Sequence, residues 1–202
     1  RAHMAEFGIT AAIGRGGLDR LIAVIADQDD ARLPDEARAC LAVLSTQLEM
    51  VKEQILDNDR RILADARRTE AGRRLMKVPG IGPLLASAIV ACVPDPSTFG
   101  GGRSLSAWIG LTPRQNSSGG KERLGSITKA GNTYLRELLV VGAMAVVRRA
   151  KQGSAKRPWV AQLLTRKRPK VAAVALANKN VRIIWAMMTT GEPYREPELA
   201  AA

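Results

Sequence analysis

The chain has 202 residues and 21.7 kDa, with 31 Lys and Arg against 19 Asp and Glu, a net charge of +12 and a pI near 10.5. At 46% hydrophobic it can build a core, and with aromatics at 3% and abundant Ala, Leu, Val and Arg it leans towards helix over sheet. The lone His3 excludes a histidine-based triad or a histidine-rich metal site, and Cys40 and Cys92, far apart with no CxxC, exclude a zinc knuckle or a disulfide framework.

A reducing, cytoplasmic compartment is the default for such cysteine usage. No uninterrupted apolar run reaches the roughly 18 residues of a membrane span, so no membrane partner is expected, and no signal peptide is visible. Charge is unevenly placed. Residues 1–76 hold 12 basic and 13 acidic side chains, whereas residues 77–202 hold 19 and 6. A near-neutral part followed by a half with a net charge of +13 points to a scaffold joined to a part that binds a polyanion, foremost nucleic acid.

Residues 1–33 read as a linker with one short helix over Leu18–Ala26, after the glycine-rich Gly14-Arg15-Gly16-Gly17. From Pro34 to about Met76 the pattern is one long helix. Pro34 suits its first turn, and Asp35-Glu36 favour its positive end. Leu41, Leu48, Ile55 and Ile62 at a positions, with Leu44 and Val51 at d, form a heptad seam; Asn58 and Asp65 occupy the next d positions. Two readings stay open here: a helix packed on its own domain, or a coiled coil that pairs two chains into a homo-oligomer.

The basic half, residues 77–194, opens with Pro79-Gly80-Ile81-Gly82 between a helix and the apolar Leu84–Cys92 helix. That is the pattern of a helix-hairpin-helix, with Gly80 and Gly82 permitting a tight turn and the next helix N-terminus offering amides to a phosphate. An ordinary turn between packed helices reads the same way. Ser104–Ile109 reads as a short helix with Trp108 in the core, residues 111–123 as a polar basic loop, and Thr133–Ala150 as a helix burying Leu135, Leu138, Leu139 and Val146. Basic clusters at Lys156-Arg157 and Arg166-Lys167-Arg168-Lys170 flank a short helix, and Val171–Met188 forms the last one. Residues 195–202 read as a disordered tail. The fold class expected is mainly α: a long coiled-coil-like arm, then a compact helical domain with a helix-hairpin-helix motif.

Up to Thr190 the basic half has only three carboxylates, Asp95, Glu122 and Glu137, none paired at a useful spacing. A two-metal phosphoryl-transfer site needs several converging carboxylates, so no metal site is expected in this chain. A hydroxyl nucleophile remains: Ser117 and Ser118 lie in a glycine-flanked loop with Arg114, Lys121 and Arg123 near in sequence, and arginine forks match phosphate oxygens. Most Ser-Gly pairs in loops are only turns, and local chemistry alone does not decide between the two.

The ordered set Pro79-Gly80-Ile81-Gly82, Trp108-Ile109-Gly110-Leu111-Thr112-Pro113-Arg114, Ser117-Ser118-Gly119-Gly120-Lys121-Glu122-Arg123-Leu124-Gly125 and Thr128-Lys129-Ala130-Gly131-Asn132 resembles the C-terminal domain of DEDD-type insertion-sequence transposases, relatives of the Piv and MooV DNA invertases. Ala175-Leu176-Ala177-Asn178-Lys179, Arg182-Ile183-Ile184-Trp185 and Tyr194 also fit. The resemblance implies DNA recombination guided by a structured RNA in the bacterial cytoplasm, at the nucleoid. It implies a serine nucleophile that links covalently to DNA, here best matched by Ser118, with Ser117 as the fallback. From the glycine turn, the cations near the serine loop and the basic clusters, DNA contacts are expected at Gly80, Gly82, Arg114, Lys121, Arg123, Lys129, Arg166, Lys167, Arg168 and Lys170. The resemblance also implies a RuvC-like domain that holds Mg2+ and precedes this region, so the chain is expected to be a fragment with no cofactor of its own and with incomplete catalysis. A non-catalytic helix-hairpin-helix module that dimerises through its coiled coil is the alternative.

Overall fold

The computed structural model describes residues 1–117, 120–121, 123–152 and 158–196. The fold is mainly helical, with one small two-stranded sheet among the described residues. The chain divides into two compact units, Arg1–Arg60 and Arg61–Ala202.

In the first unit, α1 (Ala2–Glu6), α2 (Arg15–Ala26) and the start of α3 (Asp35–Arg68) enclose a small core of Met4, Ile9, Leu21, Ile25, Leu33 and Leu41. Residues 1–33, expected as a linker with one helix, therefore carry two helices and most of a core. Buried Arg38 ties this unit together by donating to the carbonyls of Val24, Ile25, Asp27, Asp30 and Leu33. Leu41 belongs to this core. The seam beyond it is uncovered: Leu44, Leu48, Val51 and Ile55 are 38–55% exposed.

The long helix stops at Arg68 and not near Met76. Thr69 accepts a hydrogen bond from the Gly72 amide at 3.2 Å, and this N-cap starts a separate helix, α4 (Glu70–Leu75). In the second unit α4 is followed by α5 (Pro83–Cys92), a 3-10 turn at Pro96–Thr98, α6 (Gly102–Ile109), strands β1 (Pro113–Gln115) and β2 (Leu124–Ile127), then α7 (Thr133–Lys151), α8 (Pro158–Arg166) and α9 (Pro169–Thr190).

The core of this unit forms around α9, whose Ala172, Ala173, Leu176, Ala177, Val181, Ile184 and Met187 are buried at helical spacing. The small alanines let α6 and α7 come close, and α7 answers with Leu135, Leu139, Ala143 and Val147. Leu138 and Val146, expected on that face, are only partly buried. Burying each Leu, Ile or Val of this set contributes about 1.5–3 kcal/mol. By length and composition α9 could cross a membrane, which a count of uninterrupted apolar residues misses because Lys179 and Arg182 interrupt the run. In this fold it is instead the central core helix.

Trp108 corrects a second expectation: it is 39% exposed. Leu105 and Ile109, four residues apart, take the inward stripe of α6, which leaves Trp108 on the flank with its ring tilted 60° against Phe99 at 5.6 Å.

Candidate nucleic-acid interface

Residues 111–127, expected as loop over most of their length, include an antiparallel strand pair. Pro113 pairs with Ile127 and Gln115 with Leu124, with an irregularity between the two pairs. Proline biases Thr112 towards extended backbone, and β2 ends in β-branched Ile127 with Thr128 beyond it. Both strands are almost wholly exposed, so no alternating apolar pattern marks them.

The far end of the hairpin is pinched shut. The Asn116 amide donates to the Arg123 carbonyl at 2.8 Å, and the Arg123 amide donates to the Ser117 hydroxyl at 3.1 Å. Ser117 thus serves the neck of the loop as an acceptor. Ser118, the candidate nucleophile, lies outside the described residues, as do Gly119 and Glu122. Lys121 and Arg123 flank the neck and are exposed.

The near end is rooted in the C-terminus of α6. The amides of Thr128 and Lys129 donate to the carbonyls of Thr112 and Gly110 at 2.9 and 3.1 Å, and Arg114 Nη2 donates to the Thr128 carbonyl at 3.3 Å. Lys129 is exposed and has φ +58°. From α7, the 9%-exposed Arg136 reaches the same root, donating to the carbonyls of Ile109 and Ala130 and to the Thr133 hydroxyl.

Beside the hairpin runs a groove of about 640 Å³ between β2 and the first turns of α9. Its walls are mostly aliphatic, including Leu111, Pro113, Leu124, Val171 and Val174, and Lys170 stands on it as the charged group; no carboxylate lines it among the described residues. Arg166, Lys167 and Arg168 precede Lys170 at the α8–α9 junction, and these three are exposed. The fold thus brings Lys170 to the hairpin. Lys156 and Arg157 lie outside the described residues.

The Pro79–Gly82 turn joins α4 to α5, with its two glycines in different roles. Gly80 has φ +87° and faces inward: a Cβ there would lie 2.9 Å from the Gly142 carbonyl oxygen of α7. Gly82 is exposed, and a Cβ there would meet nothing within 4 Å. Of the two, Gly82 is therefore the one whose backbone an outside partner can approach.

Four polar residues with structural consequence carry no obvious signal in the sequence. Asn178 Nδ2 donates to the Leu111 carbonyl at 3.0 Å, tying the start of the hairpin to α9, and buried Asn180 Nδ2 donates to the Pro79 carbonyl at 2.9 Å. Lys179 lies 4.3 Å from the centre of the Trp159 ring; burial pushes its ammonium below the ordinary lysine range, with Glu196 opposing and Arg182 reinforcing the shift. The fourth is Arg136. The signal that could have found the asparagines is two amides in the middle of an otherwise apolar helix.

Among the described residues no three His, Cys, Asp or Glu side chains gather as they would around a metal ion. The basic half therefore offers cations and hydroxyls, a chemistry suited to holding phosphates.

Proteins similar in sequence carry the name transposase. Residues 72–158 match the family described as Transposase IS116/IS110/IS902 family. The chain is 42% identical over 200 residues to a putative transposase, y4pF/y4sB, of Sinorhizobium fredii, covering 98% of this chain and 51% of that protein. It is 42% identical over 197 residues to a probable family 20 transposase of Pseudomonas aeruginosa, covering 96% and 58%. It is 39% identical over 196 residues to the transposase for insertion sequence element IS1111A of Coxiella burnetii, covering 96% and 54%. These relatives define the class as insertion-sequence transposases. Within that class, the chain is similar to the IS110/IS116/IS902 family, whose match falls on residues 72–158. It spans about half the length of the curated relatives it matches.

Proposed function

We propose that this chain is the DNA-binding, serine-bearing part of an IS110/IS116/IS902-family transposase and that it acts in strand cleavage and exchange. The observation that carries this reading is the hairpin: Arg114, Lys121, Arg123 and Lys129 are exposed on or beside one two-stranded element, with Lys170 on the neighbouring groove, and the candidate serine is next in sequence to Ser117 of the pinched neck. Cations held by a hydrogen-bonded frame can neutralise a phosphodiester as it takes on charge in the transition state. Arg114 and Arg123 supply forked donors, while Lys121, Lys129 and Lys170 act as point charges.

In the proposed step the hydroxyl oxygen of Ser118 bonds to a DNA phosphorus. One phosphorus–oxygen bond to deoxyribose breaks, and the sugar oxygen leaves with a proton. Ser117 keeps the loop neck closed. A divalent metal such as Mg2+, expected in a RuvC-like domain of the DEDD type, would supply Lewis acidity when bound. The described residues of this chain do not form a site for it, and their part is to bind and orient the phosphate. A guide RNA is a second proposed polyanionic partner on the same basic half. The exposed α3 seam is proposed to pair chains into a homo-oligomer, and the α4–α5 turn to act as a helix-hairpin-helix with Gly82 outward. Cytoplasmic action at the bacterial nucleoid accords with these partners.

Full-length protein containing this region, incubated with labelled DNA and Mg2+, should give a covalent adduct on a denaturing gel. Ser118→Ala should abolish the adduct while leaving DNA binding intact, and Ser117→Ala should be milder. An adduct that survives both changes would refute the serine chemistry. Loss on Ser117→Ala alone would move the nucleophile by one residue. The second reading, a non-catalytic helix-hairpin-helix module, rests on the outward Gly82 and requires DNA binding with no adduct from the full-length protein.

A further inference from the structure

The root of the hairpin holds a lysine in a conformation that lysine does not favour. Lys129 is the only non-glycine residue at positive φ among the described residues, at +58°. Glycine or asparagine is the usual occupant of that region, because a larger side chain there crowds its own backbone. Strain of this kind persists only where the surroundings over-determine it, and it concentrates at binding and catalytic sites.

The surroundings are visible. Gly110 and Gly131 both adopt left-handed backbone at φ +82° and +77°. They let residues 128–132 press directly onto the end of α6: a Cβ on Gly131 would lie 1.7 Å from the Trp108 carbonyl oxygen, and one on Gly110 would lie 2.0 Å from that of Ala130. The Lys129 amide is held by the Gly110 carbonyl. Arg136 closes the arrangement from α7, its Nη1 spanning the Ile109 and Ala130 carbonyls at 2.8 and 3.0 Å and its Nη2 reaching Thr133 Oγ1 at 2.9 Å. No carboxylate among the described residues pairs with this buried guanidinium. It is balanced by the negative end of α6 and by the loop itself. On the outer side, Arg114 donates to the Thr128 carbonyl, which belongs to the peptide group joining Thr128 to Lys129. The Arg114 guanidinium and the backbone of exposed Lys129 therefore share one peptide group, and buried Arg136 braces the adjoining residue from within through the Ala130 carbonyl.

We propose that Arg114 and Lys129 form a preorganised clamp for a single phosphodiester of bound nucleic acid, and that Arg136 is the positioning residue that holds Lys129 in its strained conformation for that purpose. This rests on the nucleic-acid reading above and adds to it a specific phosphate seat and a residue that acts only through another. A fixed cation loses less freedom on binding than a mobile surface lysine, so the contribution of Lys129 depends on the brace behind it.

The test is the affinity of the chain for a fluorescein-labelled random-sequence DNA duplex across a salt series, with thermal unfolding of each variant. Lys129→Gly should flatten the slope of log affinity against log salt by about 1. It should also melt at least as high as the parent, because glycine adopts this φ without strain. Arg136→Lys keeps the charge but loses the fork. It should flatten the slope nearly as much, and combining it with Lys129→Gly should flatten it no further. Should Arg136→Lys fail to fold, Thr133→Val removes one acceptor of the fork and should give a smaller loss that likewise vanishes in the Lys129→Gly background. Additive slopes, a parental slope in Arg136→Lys, or a lower melting temperature for Lys129→Gly would each overturn the clamp. Salt-independent binding by the parent overturns the nucleic-acid reading itself, and is seen before any variant is made.

Discussion

The sharpest consequence of the fold concerns the backbone contact between the Pro79–Gly82 turn and α7. A Cβ on Gly142 would sit 2.0 Å from the Gly80 carbonyl oxygen and 3.0 Å from its carbon. Carbon–oxygen approaches normally stop at about 3.3 Å, so Gly142→Ala must push backbone away by about 1.3 Å. Both sides of the contact are main chain and neither can rotate aside, which sets the overpacking penalty near the upper end of the usual range, about 3 kcal/mol. Replacing a mid-helix glycine by alanine returns about 1 kcal/mol in helix propensity. The net loss is then about 2 kcal/mol, or a melting temperature lower by about 4–8 °C for a unit of this size. Gly82→Ala is the control, since Gly82 has φ −89° and open space around it. It should leave stability unchanged or raise it by up to about 1 kcal/mol. Thermal unfolding followed by circular dichroism measures both. A Gly142→Ala protein that melts within about a degree of the parent would refute the backbone-contact argument, since the penalty worked above is several times larger. The same proteins separate the two readings of the turn: if Gly82 admits a phosphate, Gly82→Ala weakens duplex binding with no loss of stability, and if the turn only joins two helices, binding is unchanged.

Replacing Arg166, Lys167, Arg168 and Lys170 by Gln together should flatten the salt dependence of duplex binding by about 3–4 in log–log slope, if each meets a phosphate. An unchanged slope removes the α8–α9 junction from the interface. Leu48→Glu with Val51→Glu, both on the exposed seam of α3, should convert a self-associating protein into a monomer without lowering its helix content; light scattering after size exclusion reads this, and a parent that is already monomeric at high concentration removes the coiled-coil reading.

The hairpin is the element least legible in the sequence. β1 and β2 are three and four residues long and exposed, so they lack the period-two burial by which a strand announces itself. They exist because Gly110 and Gly131 let the flanking segments zip onto α6, and because Asn178 of α9 and Arg136 of α7 pin those segments from outside the hairpin. Trp108 eludes sequence reading for a related reason: an aromatic residue in a short amphipathic helix can fall inside or on the flank, and only the neighbours of α6 decide which. Thr69 offers the opposite lesson. Its N-cap that divides α3 from α4 is present in the sequence as Thr-Glu-Ala-Gly but is outweighed by the helical pattern on both sides.

By itself the sequence determined the features that depend on local chemistry. Apolar spacing and end signals set the positions of the long helices, because a helix closes its hydrogen bonds within a few residues. The jump in net charge after residue 76 set the expectation of a polyanionic partner, because charge needs no fold to be counted. Only the tertiary structure decided which cations meet. It turned Gly80 inward and Gly82 outward, brought Lys170 to the hairpin, and buried Arg136 behind Lys129. Those choices depend on contacts between segments distant in sequence, through close approach of backbones and the pairing of buried polar groups, and no short window along the chain contains both partners.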